Sequence, residues 1–351
     1  MKKILIGMLC AAMSVSAMAD MLVVVPSPKG WHTIVIPELA KHLGEPIRME
    51  VIEGAKAIPA GDKWHEKYRF DNNAMWFSQG GQAEAFLIDK VKYNYTDYEP
   101  IFAHNNSIMM AIRNGFDVYG NDKIKFGYSN GSNPDIMALT MMICGELPSM
   151  QAYKECYDKR VVYVKGMSQP EIYLGFTRGE LNVMRDHPNG WITQFEGKNI
   201  GTEWMSAGIT NHKTGKLEPD TNFPVGQRSF PEAYKAKWGK EPKGEMYDAW
   251  LLVKGYRDVL QKVIWVNKNN PNKDRLIAAA KKMIADPESQ KIIDERVGRY
   301  PWLVGNEVNQ AYDQLYKNLS KKNLENLVWW TQNAVKMEAS LKPEIVNKAA
   351  K

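Results

Sequence analysis

The sequence predicts an α/β protein built in two units, and three observations carry that expectation. Short apolar runs alternate with helical periodicity through the first two thirds of the chain, the pattern of strands joined by crossover helices into mostly parallel sheets. The last third changes to helical spacing. The chain has 351 residues, 44% of them hydrophobic, more than a single core usually absorbs. With 25% charged residues and a formal charge of only +6, it is no disordered polymer. Two of those charges are Lys2 and Lys3, and runs such as Lys281-Lys282 and Lys321-Lys322 sit among acids. They read as solvated helix faces, so no nucleic-acid partner is expected.

The first segment reads as an address. Lys2-Lys3, an apolar stretch from Ile4 to Val15, and Ala17-Met18-Ala19 form the three-part layout of a secretory signal, with small residues at −3 and −1 of a cut after Ala19. Cys10 follows Gly7-Met8-Leu9, not the small residue that lipid attachment needs. No later run reaches the roughly 18 apolar residues of a membrane span. A periplasmic, signal-cleaved product is expected, in a compartment that permits disulfides. Cys144 and Cys156 then remain as a pair, read either as a structural disulfide or as two buried thiols.

Candidate strands are Met21 to Val25, Ile47 to Ile52, Ala74 to Phe77, Ile108 to Ile112, Ile124 to Tyr128 and Val161 to Val164. Between the first two, Val35, Leu39 and Leu43 recur on one helical face that Gly44 ends. After Tyr128, Pro134 suits a first helical position behind Ser132 or Asn133, and Ile136, Leu139, Thr140 and Ile143 share a face. In the last third, Pro271 opens a helix through Ala285, Asp286-Pro287 restarts a second that Gly298 closes, and Val308, Ala311, Tyr312 and Leu315 define a third.

The six histidines are scattered without metal-ligand spacing, and no phosphate-binding glycine loop occurs, so neither a metal nor a cofactor is expected. One decoy for an enzyme exists. Gly127-Tyr128-Ser129-Asn130-Gly131 fits the G-x-S-x-G elbow of serine hydrolases. The helix signal at Pro134 comes several residues too late for an elbow, and no histidine follows His212 to complete the usual Ser, Asp, His order. A binding protein is favoured over an enzyme; a secreted serine hydrolase using Ser129 is the alternative, together with a receptor for a neutral or cationic solute.

The same loop has a quieter meaning. Ser129, Asn130, Gly131 and Ser132 lead into a helix and would present hydroxyls and free N–H groups to an anion at its positive end. Ser27-Pro28-Lys29-Gly30-Trp31-His32-Thr33 and Ser78-Gln79-Gly80-Gly81-Gln82 are comparable loops at strand ends, the places where open α/β sheets bind ligands. Trp31 and Trp191 lie in loops where they could face a ligand.

The order of these segments resembles that of the periplasmic solute-binding receptors of tripartite tricarboxylate transporters, also called Bug proteins. "VPSPKGWHTIVIPELAKHLG" stands where that family has its first strand, glycine-rich loop and helix, and "YNYTDYEPI" matches its phrase for a strand entering the second lobe. "FGYSNGSNPDIMALTMMICG" is similar to its second-lobe strand, serine-glycine loop and helix, and "VKGMSQPEIYLGFTRGELNVMRD" to a later helix and strand. Two departures stand out. Lys29 to Thr33 replace the family's glycine triplet and Asp, and Arg185 takes the place of a usual Phe beside Asp186.

What the resemblance implies is a periplasmic-binding-protein-like α/β fold, a Venus flytrap with a ligand cleft between two lobes. Residues 20–112 would open lobe one, 113–240 form lobe two, and 241–351 return to lobe one with the C-terminal helices. Joined to the loop reading, it implies a monomeric receptor for a small organic acid, a dicarboxylate, tricarboxylate or aromatic carboxylate, which it delivers to the membrane subunits of a transporter. The expected ligand-binding residues are Ser27 and Thr33, Ser78 and Gln79, Ser129, Asn130 and Ser132, with Arg185 and Asp186 opposite. Arg185 would either grip a carboxylate or neutralise Asp186 or Glu180.

Overall fold

The computed structural model describes residues 20–128, 133–220, 222, 228–317 and 319–349. In chain order its strands are β1 (Met21–Val25), β2 (Ile47–Val51), β3 (Ala74–Gln79), β4 (Tyr98–His104), β5 (Met109–Arg113), β6 (Ile124–Tyr128), β7 (Val161–Lys165), β8 (Val183–Asp186), β9 (Gly201–Ser206), β10 (Ile209–Thr210), β11 (Leu217–Glu218), β12 (Lys262–Asn267) and β13 (Trp302–Val304). Two sheets dominate. The first has the order β13-β4-β12-β3-β1-β2 and the second β7-β6-β8-β5-β9, while β10 and β11 form a small antiparallel ribbon.

Each sheet is mixed, which corrects the expectation of mostly parallel pairing. In the first, β1 pairs parallel with β2 and β3, whereas β12 is antiparallel to both β3 and β4. The reason lies in the connections. The Gly80–Ile88 helix is a crossover that sets β3 and β4 parallel, but β12 arrives from the other lobe and inserts between them in the opposite sense. In the second sheet β6 is parallel to β7 and β8, and β5 runs antiparallel to β8 and β9.

The faces of the first sheet explain its unbroken apolar runs. Met21, Val23 and Val25 face the His32–Leu43 and Lys273–Ala285 helices, and Leu22 and Val24 point to the opposite cluster with Trp76 and Trp265. A strand covered on both sides needs no polar alternation. Gly44 ends the His32–Leu43 helix at φ 81°, where glycine carries no Cβ penalty, and its N–H bonds Ala40 O. The last third is less helical than expected: it contributes β12 to the centre and β13 to the edge of the first sheet.

The chain leaves the first sheet at residues 105–108. Because Met109–Arg113 pairs with β8 and β9, this strand opens the second lobe, and the crossing precedes the boundary expected at 112. The "YNYTDYEPI" segment thus ends in the first sheet, whose β4 comes before the crossing. The return runs through the Glu245–Val259 helix, which packs on the Gly80–Ile88 helix of lobe one and the Asn133–Cys144 helix of lobe two. One apolar cluster therefore runs through both lobes, including Trp76 and Phe86 on one side and Phe126 and Met137 on the other. Cys144 and Cys156 form a disulfide with Cα atoms 6.4 Å apart, tying the Asn133–Cys144 helix to the Met150–Arg160 helix. Among the described residues no helix is long and apolar enough to cross a membrane.

Candidate functional site

Where the two sheets face each other, a cavity of about 180 Å³ is lined by side chains from both lobes. Lobe one supplies Lys56, Gln79 with Gly80 and Gly81 at the end of β3, Glu84 one turn later, and Lys262 at the start of β12. Lobe two supplies Tyr128 at the end of β6, Arg185 on β8, and His187. Arg257 and Gln261 come from the returning helix and its end. A Cβ on Gly80 would stand 1.9 Å from Gln261 Oε1, so a side chain there would displace Gln261 from the cavity wall.

Four basic side chains meet in this space, Lys56, Arg185, Arg257 and Lys262. Arg185 Nε donates to Asp135 Oδ2 at 3.2 Å, and its guanidinium lies 4.6 Å from the Tyr128 ring centre. Arg257 Nη1 is 3.6 Å from Glu84 Oε2 and 3.9 Å from Asp135 Oδ2. Lys56 Nζ donates to Asp89 Oδ2 at 2.7 Å and lies 3.5 Å from Glu84 Oε1. Burial pulls Lys56 down, but Glu84 and Asp89 outweigh it and its ammonium is held above the ordinary range. Glu84 also accepts from Asn133 Nδ2 across the lobes at 2.8 Å, and Asn133 Oδ1 accepts from Thr331 Oγ1 at 3.1 Å.

Lys262 differs from the other three. It is only 8% exposed, and no carboxylate lies within 4 Å of it among the described residues. Burial, with Arg185 and Arg257 nearby, pushes its pKa down to about 7. His187 adds no charge: burial and the same cations hold it well below its usual value, and its Nδ1 donates to Ser107 O at 2.8 Å. A buried cation without a counter-charge is costly, and a bound anion is its natural complement.

Of the residues expected from sequence, Gln79 and Arg185 line this cavity. Asp186 does not. Along β8, Val183 and Arg185 face the Asn133–Cys144 helix, while Met184 and Asp186 face the opposite cluster, as strand alternation requires. Asp186 accepts from Tyr173 Oη and from the His187 N–H, both at 2.7 Å, and burial pushes it up to about 6. The partner of Arg185 is therefore Asp135, neither Asp186 nor Glu180. Ser78 is fully buried and accepts from Trp265 Nε1 at 2.8 Å. In the first loop Ser27 Oγ donates to Lys29 O and Thr33 Oγ1 to Gly30 O, at 2.8 and 2.7 Å, and neither lines the cavity.

Trp31 is packed on Phe77 and donates to His104, and Trp191 donates to Glu203 inside lobe two, so both are core residues. Ser129, Asn130 and Ser132 lie outside the described residues, as does the signal segment; the flanking Tyr128 lines the cavity and Asn133 bonds Glu84. Sequence reasoning missed Lys56, Glu84, Asp135, His187, Arg257, Gln261 and Lys262. Their signal was charge in apolar surroundings, as in "GGQAEAFLI", "LLVKGYRDV" and "KVIWVN".

No family model and no curated protein matches the sequence. Solved structures do match the fold. The periplasmic binding protein BugD superposes with a TM-score of 0.56 at 15% identity, over 90% of this chain and 98% of its own. The fold is that of the periplasmic binding proteins. MatC from Rhodopseudomonas palustris, with bound malate, is similar at TM-score 0.55 and 12% identity, covering 88% of this chain and 98% of MatC. Another R. palustris protein of this periplasmic-binding-protein fold, solved with adipate, reaches 0.56 at 10% identity over 85% of this chain and 96% of its own.

Proposed function

We propose that the chain is an exported receptor of the tripartite tricarboxylate type that captures a small organic carboxylate and delivers it to membrane subunits of a transporter. The observation that carries this reading is the Lys262 amino group, buried at the lobe junction beside Arg185 and Arg257 with no acid of its own among the described residues. The fold shared with BugD, and with proteins solved with malate and adipate, supports it.

In this reading Lys262, Arg257, Arg185 and Gln79 hold the carboxylate. Ser129, Asn130 and Ser132 join them as donors from the loop between Tyr128 and Asn133. Since the cations come from both lobes, an anion binds the closed arrangement better than an open one, and that difference in affinity drives closure. An amine would be repelled by the same groups, and a neutral sugar would leave Lys262 without a counter-charge.

The test is to unfold and refold the mature protein to strip bound ligand, then follow melting against malate, adipate, citrate, benzoate, glucose and putrescine. Acids should raise the melting temperature by mass action. A shift with glucose or putrescine alone, or with none of the six, would reject the reading.

A further inference from the structure

The basic side chains around the cavity outnumber the acids that pair with them by one. Lys56, Arg185 and Arg257 each have a carboxylate among Glu84, Asp89 and Asp135 within 4 Å. These three cations and three acids close a network on themselves, and Lys262 is left over. Its surroundings offer it no other anion among the described residues. Arg185 and Arg257 face it as cations, Glu84 is engaged by Lys56, Arg257 and Asn133, and His187 is neutral. His32, at the start of the His32–Leu43 helix, and His104 on β4 both feel the charge of Lys262, and burial pushes them down to about 4 and 3, so they too are neutral.

We propose that Lys262 is the group that meets the ligand's carboxylate, and that it becomes an ammonium as the ligand enters, so that each bound anion brings one proton into the cavity. The proposal rests on the carboxylate-receptor reading and adds its proton stoichiometry. In the empty cavity the two guanidiniums and the lack of solvent favour the neutral amine. A carboxylate placed against Nζ reverses that preference, because the ion pair is formed where water no longer screens it. The amine gains N–H⁺ and the carboxylate keeps its charge, so the new ammonium offsets the charge of the one carboxylate it meets.

Calorimetry at pH 8 with malate and with adipate, in two cationic buffers of different ionisation enthalpy, reads the proton directly. Wild-type protein, starting with Lys262 largely neutral at a pKa of about 7, should take up close to one proton per ligand. Its affinity should fall by up to about tenfold per pH unit above 7. Lys262→Arg, which stays charged, should still bind but take up no proton and lose the pH dependence. Lys262→Met should melt at a higher temperature than wild type and bind at least about tenfold more weakly. Binding without proton uptake by the wild type overturns the proposal while leaving the receptor reading intact. Uptake that persists in Lys262→Arg assigns the proton to Glu84 or His187 and overturns it as well. No heat from either acid, with the refolded protein still melting cooperatively, rejects a receptor for such acids and the proton with it.

Discussion

Arg185 and Asp186 are adjacent in the chain and belong to different environments: the guanidinium reaches Asp135 and the interlobe cavity, and the carboxylate is sealed against Tyr173 on the far face of the second sheet. The separation follows from strand alternation alone, and it gives the two residues different consequences on substitution.

Asp186 is an acid whose folded pKa, about 6, lies above its ordinary 3.8. Between those values the native state binds more protons than the unfolded chain, so this group makes stability fall as pH rises from about 4 to 6. Asp186→Asn removes that dependence. The variant should gain on the order of 3 kcal/mol at pH 7, less whatever the altered Tyr173 contact costs, and gain little at pH 3.5. Melting curves at the two pH values check it; an equal effect at both would show that ionisation is irrelevant there.

Ser78 supports the indole of Trp265 and is remote from solvent. Ser78→Ala leaves a buried N–H without an acceptor and should cost about 1–3 kcal/mol of stability. Carboxylate affinity should be unchanged. Weakened binding without a lower melting temperature would return Ser78 to the ligand.

The disulfide joins two helices of lobe two, and neither of its cysteines lines the cavity. Cys144→Ala with Cys156→Ala should lower stability by about 3 kcal/mol, the value for so short a loop. Ligand affinity measured below the new melting temperature should stay within about twofold, a change of well under 1 kcal/mol.

Ser129→Ala with Ser132→Ala should weaken carboxylate binding and leave the melting temperature of the stripped protein in place. The hydrolase alternative makes the opposite demand, that a fluorophosphonate label Ser129 and that Ser129→Ala abolish ester turnover. Mass spectrometry of the labelled protein distinguishes them.

Much of the scaffold was legible. β1 falls on the run read from Met21 to Val25, because a strand buried on both faces announces itself as a short apolar block, and β6 on the run from Ile124 to Tyr128, where Ile124, Phe126 and Tyr128 are buried and Lys125 is exposed. β12 does not stand out as a strand, since Lys262 and Asn267 at its ends limit the apolar block to Val263 to Val266 and it lies in a region of helical spacing. Strand direction was illegible for a different reason: it depends on which lobe the chain comes from. The cavity was harder still. Arg185, Arg257 and Lys262 are separated by 77 residues from first to last, and only the fold reveals that they crowd one another.

The apolar cluster that continues from Trp76 and Phe86 through the returning helix to Phe126 and Met137 has a further meaning. Each half of the molecule is roofed in part by the other's helices, so neither is a self-sufficient module. Severing the chain between the halves would strip both of shelter at once, and expressing one without its counterpart would yield sticky, unfinished protein.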